Sequence, residues 1–299
     1  MTTTIRIIAN GGAKSMTAPA ARQELTQLLS RELPGATLTF AEQGDDVQLL
    51  ARNAIADGAT MLVAGGGDGT VNAIASVVVG TPTVLGVLPL GTLNHFAKDL
   101  GIPDDMASAV RTLAAGKIVI VDVGTVNDRI FVNNSGLGLY PDMVHHRVQR
   151  QKEGAAKWTA ALIESVKALL RYRLLGIRVV VDGQKLLRRT PVVFIGNNEY
   201  TVKKALEPTR ERIDGGVLCL YIPHTRSRLR FIWFALRALF GKPRPDREFD
   251  TTLTDALTIE SRRHHLRVSL DGEVVSLHTP LEYRCRPRTL RVMAPATRG

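Results

Sequence analysis

The stretch Thr60-Met61-Leu62-Val63-Ala64-Gly65-Gly66-Gly67-Asp68-Gly69-Thr70-Val71-Asn72-Ala73-Ile74 decides the reading of this sequence. It opens on Thr60–Ala64, a short run of buried-strand length. Three glycines follow, then Asp68-Gly69-Thr70, and the chain passes straight into a helical segment. A strand that runs through glycines into a helix presents backbone N–H groups with no Cβ atoms to hold a ligand away. Phosphate oxygens suit that place, because the helix start also favours negative charge. A carboxylate at Asp68 would be repelled there unless a cation intervened, so its presence implies Mg²⁺ as well. Asp68 reads alternatively as the cap of a tight strand-to-helix turn.

Working outward, the first part of the chain alternates. Thr4–Ala9, Ala36–Phe40, Val84–Leu88 and Ile118–Val123 have the character of strands; Pro19–Leu33, Asp46–Ala56 and Asp105–Ala115 have helical periodicity. Strands separated by helices predict a parallel sheet, with ligands at the carboxyl ends of its strands. A second glycine-bearing loop, Pro89–Ala97, follows the strand at Val84. Alone it is a plain turn; beside Gly65–Thr70 it completes a pair able to enclose one nucleotide. Two better-known phosphate motifs are absent. GxGxxG would need Gly where Thr70 stands, and the P-loop would need Gly at Ala13, ahead of Lys14 and Ser15.

After about residue 126 the rhythm changes. Ala155–Arg173 is a helical segment with Trp158, Leu162, Val166, Leu169 and Leu170 on one face. Strand signals follow at Ile177–Val181, Pro191–Ile195, Val217–Ile222, Leu253–Ile259, Leu266–Leu270, Leu281–Arg284 and Leu290–Met293, with hairpin-turn pairs at Asp182-Gly183 and Asp271-Gly272. These predict an α/β domain over residues 1–125, a mainly β-sandwich domain over 126–294 and a tail over 295–299.

Charge divides with the domains. Up to Thr125 the chain carries a net −3 and from Val126 onward +14, which together give the formal +11. A basic half implies an anionic partner. Arg226–Phe240 mixes arginines with Trp233, Phe234 and leucines, a composition suited to a membrane interface or to a packed helix with arginines at its rim. Arg147–Lys157 is a second basic stretch. A nucleic-acid partner is disfavoured, since no such motif is present. Cys219 and Cys285 are far apart and fit a reducing compartment. The N-terminus lacks the features of a signal peptide, and the apolar stretch Ile74–Leu93 is interrupted by Gly80, Pro82, Gly86, Pro89 and Gly91. A cytoplasmic protein, peripheral on the inner membrane face, is expected. The adjacent pairs His145-His146 and His264-His265 do not suggest a metal site, because neighbouring side chains diverge.

GGGDGTVNAI followed by PLGTLNHFAKDLGIP resembles the diacylglycerol kinase catalytic family, whose pattern is GGDGT and then P-x-G-T-x-N-D. The resemblance extends through Val121–Gly124, Phe131–Gly138, Gly196-Asn197, Asp214–Gly216 and Leu270–Glu273, and so covers nearly the whole chain. It implies an ATP- and Mg²⁺-dependent lipid kinase with an N-terminal α/β layer and a C-terminal β-sandwich. By resemblance, Asp68 works with the catalytic Mg²⁺ and Glu273 is the general base. Asp122 matches a family acidic position and reads equally as a strand-end charge. Asn10, Gly65, Gly66, Gly67, Gly69, Thr70, Asn72, Gly91, Thr92 and Asn94 are the matching nucleotide-side positions. Three departures stand out: the first turn reads Asn10–Lys14 without Pro, His95 replaces an Asp and is free to bind phosphate or pair with Asp122, and Gly215 replaces the Asp of a structural metal site. An NAD kinase-like enzyme and a non-catalytic nucleotide or lipid sensor are the alternatives. Neither the acceptor lipid nor the oligomeric state is read out.

Overall fold

The computed structural model describes residues 3–139, 174–204, 207–223 and 249–296. The expected helix at 155–173 and both basic stretches, 147–157 and 226–240, lie outside them.

The chain divides into two compact units, Met1–Val123 with Arg286–Gly299, and Gly124–Cys285. In the first, β1 (Ile5–Asn10), β2 (Thr37–Ala41), β3 (Met61–Gly66) and β4 (Val84–Pro89) form a parallel sheet in the order β2-β1-β3-β4. Helices α1 (Pro19–Glu32), α2 (Val47–Ala56) and α3 (Asp68–Val78) connect the strands. Helices α4 (His95–Leu100) and α5 (Met106–Ala115) lead into β5 (Lys117–Val126). Every residue of β3 and β4 is buried, which explains their unbroken apolar runs. The helix starts follow local chemistry: Asp46 Oδ1 accepts the N–H groups of Gln48 and Leu49, and Asp105 Oδ1 accepts that of Ser108.

The second unit is a sandwich of two mainly antiparallel sheets. One has the order β14-β13-β10-β7-β16-β17, formed by β7 (Asn134–Gly138), β10 (Val192–Asn197), β13 (Leu218–Pro223), β14 (Phe249–Thr254), β16 (His265–Leu270) and β17 (Glu273–His278). The other contains β8 (Leu175–Val181), β9 (Gln184–Thr190), β15 (Ala256–Ser261) and the start of β18 (Leu281–Ala294). The short β6 (Arg129–Phe131) pairs with the end of β5, and β11 (Tyr200–Lys204) with β12 (Glu207–Arg210). Leu137, Val193, Ile195, Leu220 and Val268 from one sheet meet Ile177, Val179, Leu257, Ile259 and Tyr283 from the other in one core. Both Asp-Gly pairs turn hairpins as the sequence suggests: Asp182 and Gly183 have φ of 49° and 76°, Asp271 and Gly272 48° and 93°. Successive left-handed residues match the twist of a two-residue hairpin.

Two expectations are corrected. Leu253–Ile259 is not one strand: the chain bends at Asp255, so β14 pairs with β13 in one sheet while β15 pairs with β8 and β18 in the other. The run of apolar residues is misleading: Leu253 of β14 is 50% exposed, and only Leu257 and Ile259 of β15 enter the core. Conversely, Leu281–Arg284 and Leu290–Met293 belong to one strand, β18, joined through the polar Arg284–Arg288. Its second half lies in the first unit, where Val292 pairs with Leu85 in parallel, although the sequence pattern places it with the sandwich.

Cys219 is fully buried on β13, and burial pushes its thiol up from 9.0 to about 11. Thiolate, the reactive form, is therefore suppressed at neutral pH. Iodoacetamide at pH 7.5 is expected to leave Cys219 unmodified in the folded protein and to alkylate it after denaturation; labelling in the native state would contradict this burial. The folded thiol holds its proton more tightly than the unfolded one. Its contribution to stability is present below pH 9 and is lost as the pH climbs towards 11.

Candidate active site

Three loops meet at the carboxyl end of the parallel sheet: the turn after β1, the glycine loop after β3 and the loop after β4. Asn10 holds the first by accepting the Gly12 N–H at its Oδ1 (2.9 Å) and donating from Nδ2 to Thr70 Oγ1 at 3.4 Å. Ser15 Oγ donates to the Leu90 carbonyl at 2.8 Å, tying the first turn to the third loop. The Leu90 N–H donates to the Gly66 carbonyl at 3.1 Å and links the third loop to the second.

The glycines are explained by contact. A Cβ on Gly91 would lie 2.4 Å from the Gly67 Cα, and a Cβ on Gly66 would lie 2.4 Å from Thr70 Oγ1. The two glycine loops thus touch backbone to backbone, and a side chain would force them apart. Asn94 fixes the third loop from inside: its Oδ1 accepts the Gly91 N–H, and its Nδ2 donates to the carbonyls of Pro89 and Gly91. Asn94 itself has φ 50°, a left-handed conformation that asparagine tolerates.

Asp68 is a cap, but not of its own helix. Its Oδ2 accepts the His95 N–H at 3.2 Å and its Oδ1 the Phe96 N–H at 3.1 Å, so it caps α4 across a gap of 27 residues. The N-cap position of α3 is Gly67, which has no side chain to cap the helix. A helix start of this kind suits an anion, whose charge its first-turn N–H groups favour. With the glycines bare and glycine at the N-cap of α3, the residues present fit phosphate. Asp68 is half-buried and is the carboxylate of this cradle; a Mg²⁺ ion there would take the rest of its shell from phosphate and water, as this ion commonly does. Among the described residues, no group of three or more His, Cys, Asp or Glu could hold a metal by itself.

Of the remaining expected residues, Gly65 lies near the end of the buried run of β3, Gly69 lies in the first turn of α3 and Thr70 is buried beside it, with Asn72 half-buried a half-turn on; Thr92 is exposed. His95 contributes its backbone N–H to Asp68. Asp122 is fully buried on β5 and accepts the Arg288 N–H at Oδ1, 2.8 Å away, steadying β18 where Arg288 takes φ 52°. Ser15 is a further member of the loop system; only its hydroxyl beside a chain turn marks it, and that signal is too common to single it out.

In the second unit, Glu273 is exposed at the start of β17. The turn before it is strongly held. Asp271, buried, accepts three successive backbone N–H groups: Val132 at Oδ2 (2.7 Å), and Asn133 and Asn134 at Oδ1 (2.7 and 2.9 Å). The same loop is clamped from the other side by Arg210, which donates to the carbonyls of Val132 and Asn197 and to Asn133 Oδ1. At Gly215, any Cβ would lie 2.6 Å from Asn198 Oδ1, which accepts the Gly215 N–H instead.

The first unit is a parallel α/β layer with a glycine cradle of the kind that holds phosphate, and the second is an antiparallel sandwich. Residues 4–126 match the diacylglycerol kinase catalytic domain, and residues 140–294 match the YegS C-terminal NAD kinase beta sandwich-like domain. The chain belongs to the diacylglycerol kinase catalytic-domain family. It is 28% identical over 203 residues to a diacylglycerol kinase of Staphylococcus aureus, spanning 63% of this chain and 64% of that one. It is 24% identical over 251 residues to an uncharacterised protein of Synechocystis, spanning 80% and 56%. The chain thus spans between half and two thirds of the length of these curated relatives. A crystal structure of a diacylglycerol kinase from Bacillus anthracis superimposes with TM-score 0.70 at 19% identity over 97% of this chain and 96% of that one. A further structure from that organism gives 0.74 at 20% identity over 97% of each. Among the described residues no helix is long and apolar enough to cross a membrane.

Proposed function

We infer that the protein is an ATP-dependent lipid kinase that transfers the γ-phosphoryl group to the hydroxyl of diacylglycerol or a related lipid, working peripherally at the cytoplasmic face of a membrane. One observation carries this reading: Asp68 leaves its own helix to cap α4, which locks two glycine loops together and leaves the α3 N-terminus open to phosphate. The names of the relatives and the net charge of +14 from Val126 onward support a lipid acceptor on an anionic surface.

Gly65–Thr70, with Asn10, Asn72 and Gly91–Asn94 around it, would hold the phosphates by backbone N–H groups and short polar side chains. Asp68 would hold Mg²⁺, which when bound neutralises charge on those phosphates. Rigid loops fix the direction of the γ-phosphoryl group, so positioning supplies much of the rate. Glu273 would accept the proton of the lipid hydroxyl on its carboxylate. Asp122, buried and bonded to the Arg288 backbone, acts as a support of β18 in this reading.

The test is incubation with Mg²⁺, γ-labelled ATP and mixed vesicles containing diacylglycerol, phosphatidylglycerol and sphingoid bases, followed by organic extraction, with NAD as acceptor in a separate arm. Label is expected in a lipid. Glu273→Ala should lose it by roughly a hundredfold or more while still binding ATP and melting normally, since the residue is exposed. Label in NAD, or in no acceptor while ATP is bound, would overturn the lipid kinase reading in favour of the NAD kinase-like enzyme or the sensor.

A further inference from the structure

The fold brings together two histidines that lie apart in the sequence. His265 at the start of β16 and His278 at the end of β17 are direct cross-strand partners. Their Nε2 atoms are 3.1 Å apart and their ring centroids 3.9 Å. The pair stands on the solvent face of the hairpin: Leu266, Val268 and Leu270 turn into the core, with Val275 and Leu277 packed against it, while both histidines are exposed.

We propose that His265 and His278 form a bidentate site for a borderline transition-metal cation such as Zn²⁺, Ni²⁺ or Cu²⁺. Two imidazoles bound at 2.0–2.1 Å to one metal at cis or tetrahedral angles place their nitrogens about 2.9–3.4 Å apart. The observed separation falls inside that range, so a metal enters without moving either strand. As it stands, one ring donates an Nε2–H to the other; on metal binding that ring carries its proton on Nδ1, and both Nε2 lone pairs point at the cation. Nitrogen ligands select such cations over Mg²⁺, which prefers oxygen, so this site is chemically distinct from the nucleotide-side cation at Asp68. Water completes the shell on the exposed side. The consequence is a cross-link between β17, the edge strand of its sheet, and β16 at the end of the hairpin away from the Asp271-Gly272 turn.

Titration calorimetry of the full, untagged chain with ZnCl₂, NiCl₂ and CuCl₂ tests this, with His265→Ala, His278→Ala and His264→Ala in parallel. His95, His145, His146 and His224 remain in every variant, so the readout is the difference between proteins. The wild type and His264→Ala should share one tighter site. A second ligand on the same frame binds intramolecularly, so removing His265 or His278 should weaken that site roughly a hundredfold. Zn²⁺ should raise the melting temperature of the wild type and of His264→Ala but not of the other two. Equal affinities in all four proteins, or no binding at millimolar metal, would overturn the proposal. The two His→Ala variants lie on an exposed face, and unchanged circular dichroism checks their fold.

Discussion

Asp68→Ala is expected to lower lipid phosphorylation by roughly a hundred- to a thousandfold, the scale on which a single preorganised electrostatic group acts at a reacting centre. The carboxylate has two tasks in the proposed function, and two substitutions separate them. As a cap it accepts the His95 and Phe96 N–H groups, and a lost cap costs about 1 kcal/mol. For a unit of this size that lowers the melting temperature by about 2–4 °C. The third loop keeps its shape through Asn94, so the fold survives. As the holder of a cation, Asp68 also needs its charge. Asp68→Asn keeps one acceptor oxygen and hence part of the cap, but no charge. It should recover stability over the alanine variant and remain nearly as inactive. Full activity in Asp68→Asn would show that only the cap matters and would remove the cation from this residue; full activity in Asp68→Ala would remove the loop from catalysis altogether. ATP binding and turnover, measured side by side with thermal melting, distinguish these outcomes.

What was legible in the sequence is what local chemistry determines. Gly65–Gly67 announced a strand-to-helix loop because no other residue permits that approach, and the two Asp-Gly pairs announced hairpins because both central residues need positive φ. The break at Asp255 was hidden because Leu253, exposed on β14, and Leu257 and Ile259, buried on β15, read in sequence as one apolar run although the partner strand changes between them. The unity of β18 was hidden for the opposite reason: Arg284–Arg288 is polar, and its hold by Asp122 comes from 166 residues away. In the site, the residue types were readable but their mutual bonds were not. Asp68 looked like a cap for the helix that follows it, since sequence offers only near neighbours, whereas its partners are 27 and 28 residues on. His265 had a visible neighbour in His264, and the partner that matters, His278, became adjacent only when the Asp271-Gly272 turn set the register.

That same turn should be the most costly place in the sandwich to disturb. Asp271→Ala removes the acceptor of three backbone N–H groups in a buried loop, each of which costs about 1–3 kcal/mol when left without a partner. It also places alanine at φ 48°, a left-handed position that disfavours residues with a Cβ by about 1–2 kcal/mol unless, like Asp, they bond locally. Water reaching the turn offsets part of this, and a net loss of about 3–5 kcal/mol is expected in urea unfolding followed by far-UV circular dichroism. Asp271→Gly relieves the backbone strain without restoring an acceptor and should recover about 1 kcal/mol of that loss. Asp271→Asn should be milder still: an oxygen at the Oδ1 position keeps Asn133 and Asn134, but the amide NH₂ then meets the Val132 N–H, donor against donor. The three variants should therefore rank Ala, Gly, Asn in decreasing damage. A different order, or a loss below about 1 kcal/mol for alanine, would mean that the hairpin is held by its strand pairing with β7 and not by the carboxylate. Activity adds an independent reading. Because Glu273 follows two residues later, Asp271→Asn should depress turnover while leaving ATP affinity unchanged, as the phosphate loops belong to the other unit. A parallel fall in ATP affinity would place the effect on folding as a whole, and unchanged turnover would separate the turn, and with it Glu273, from the transfer step.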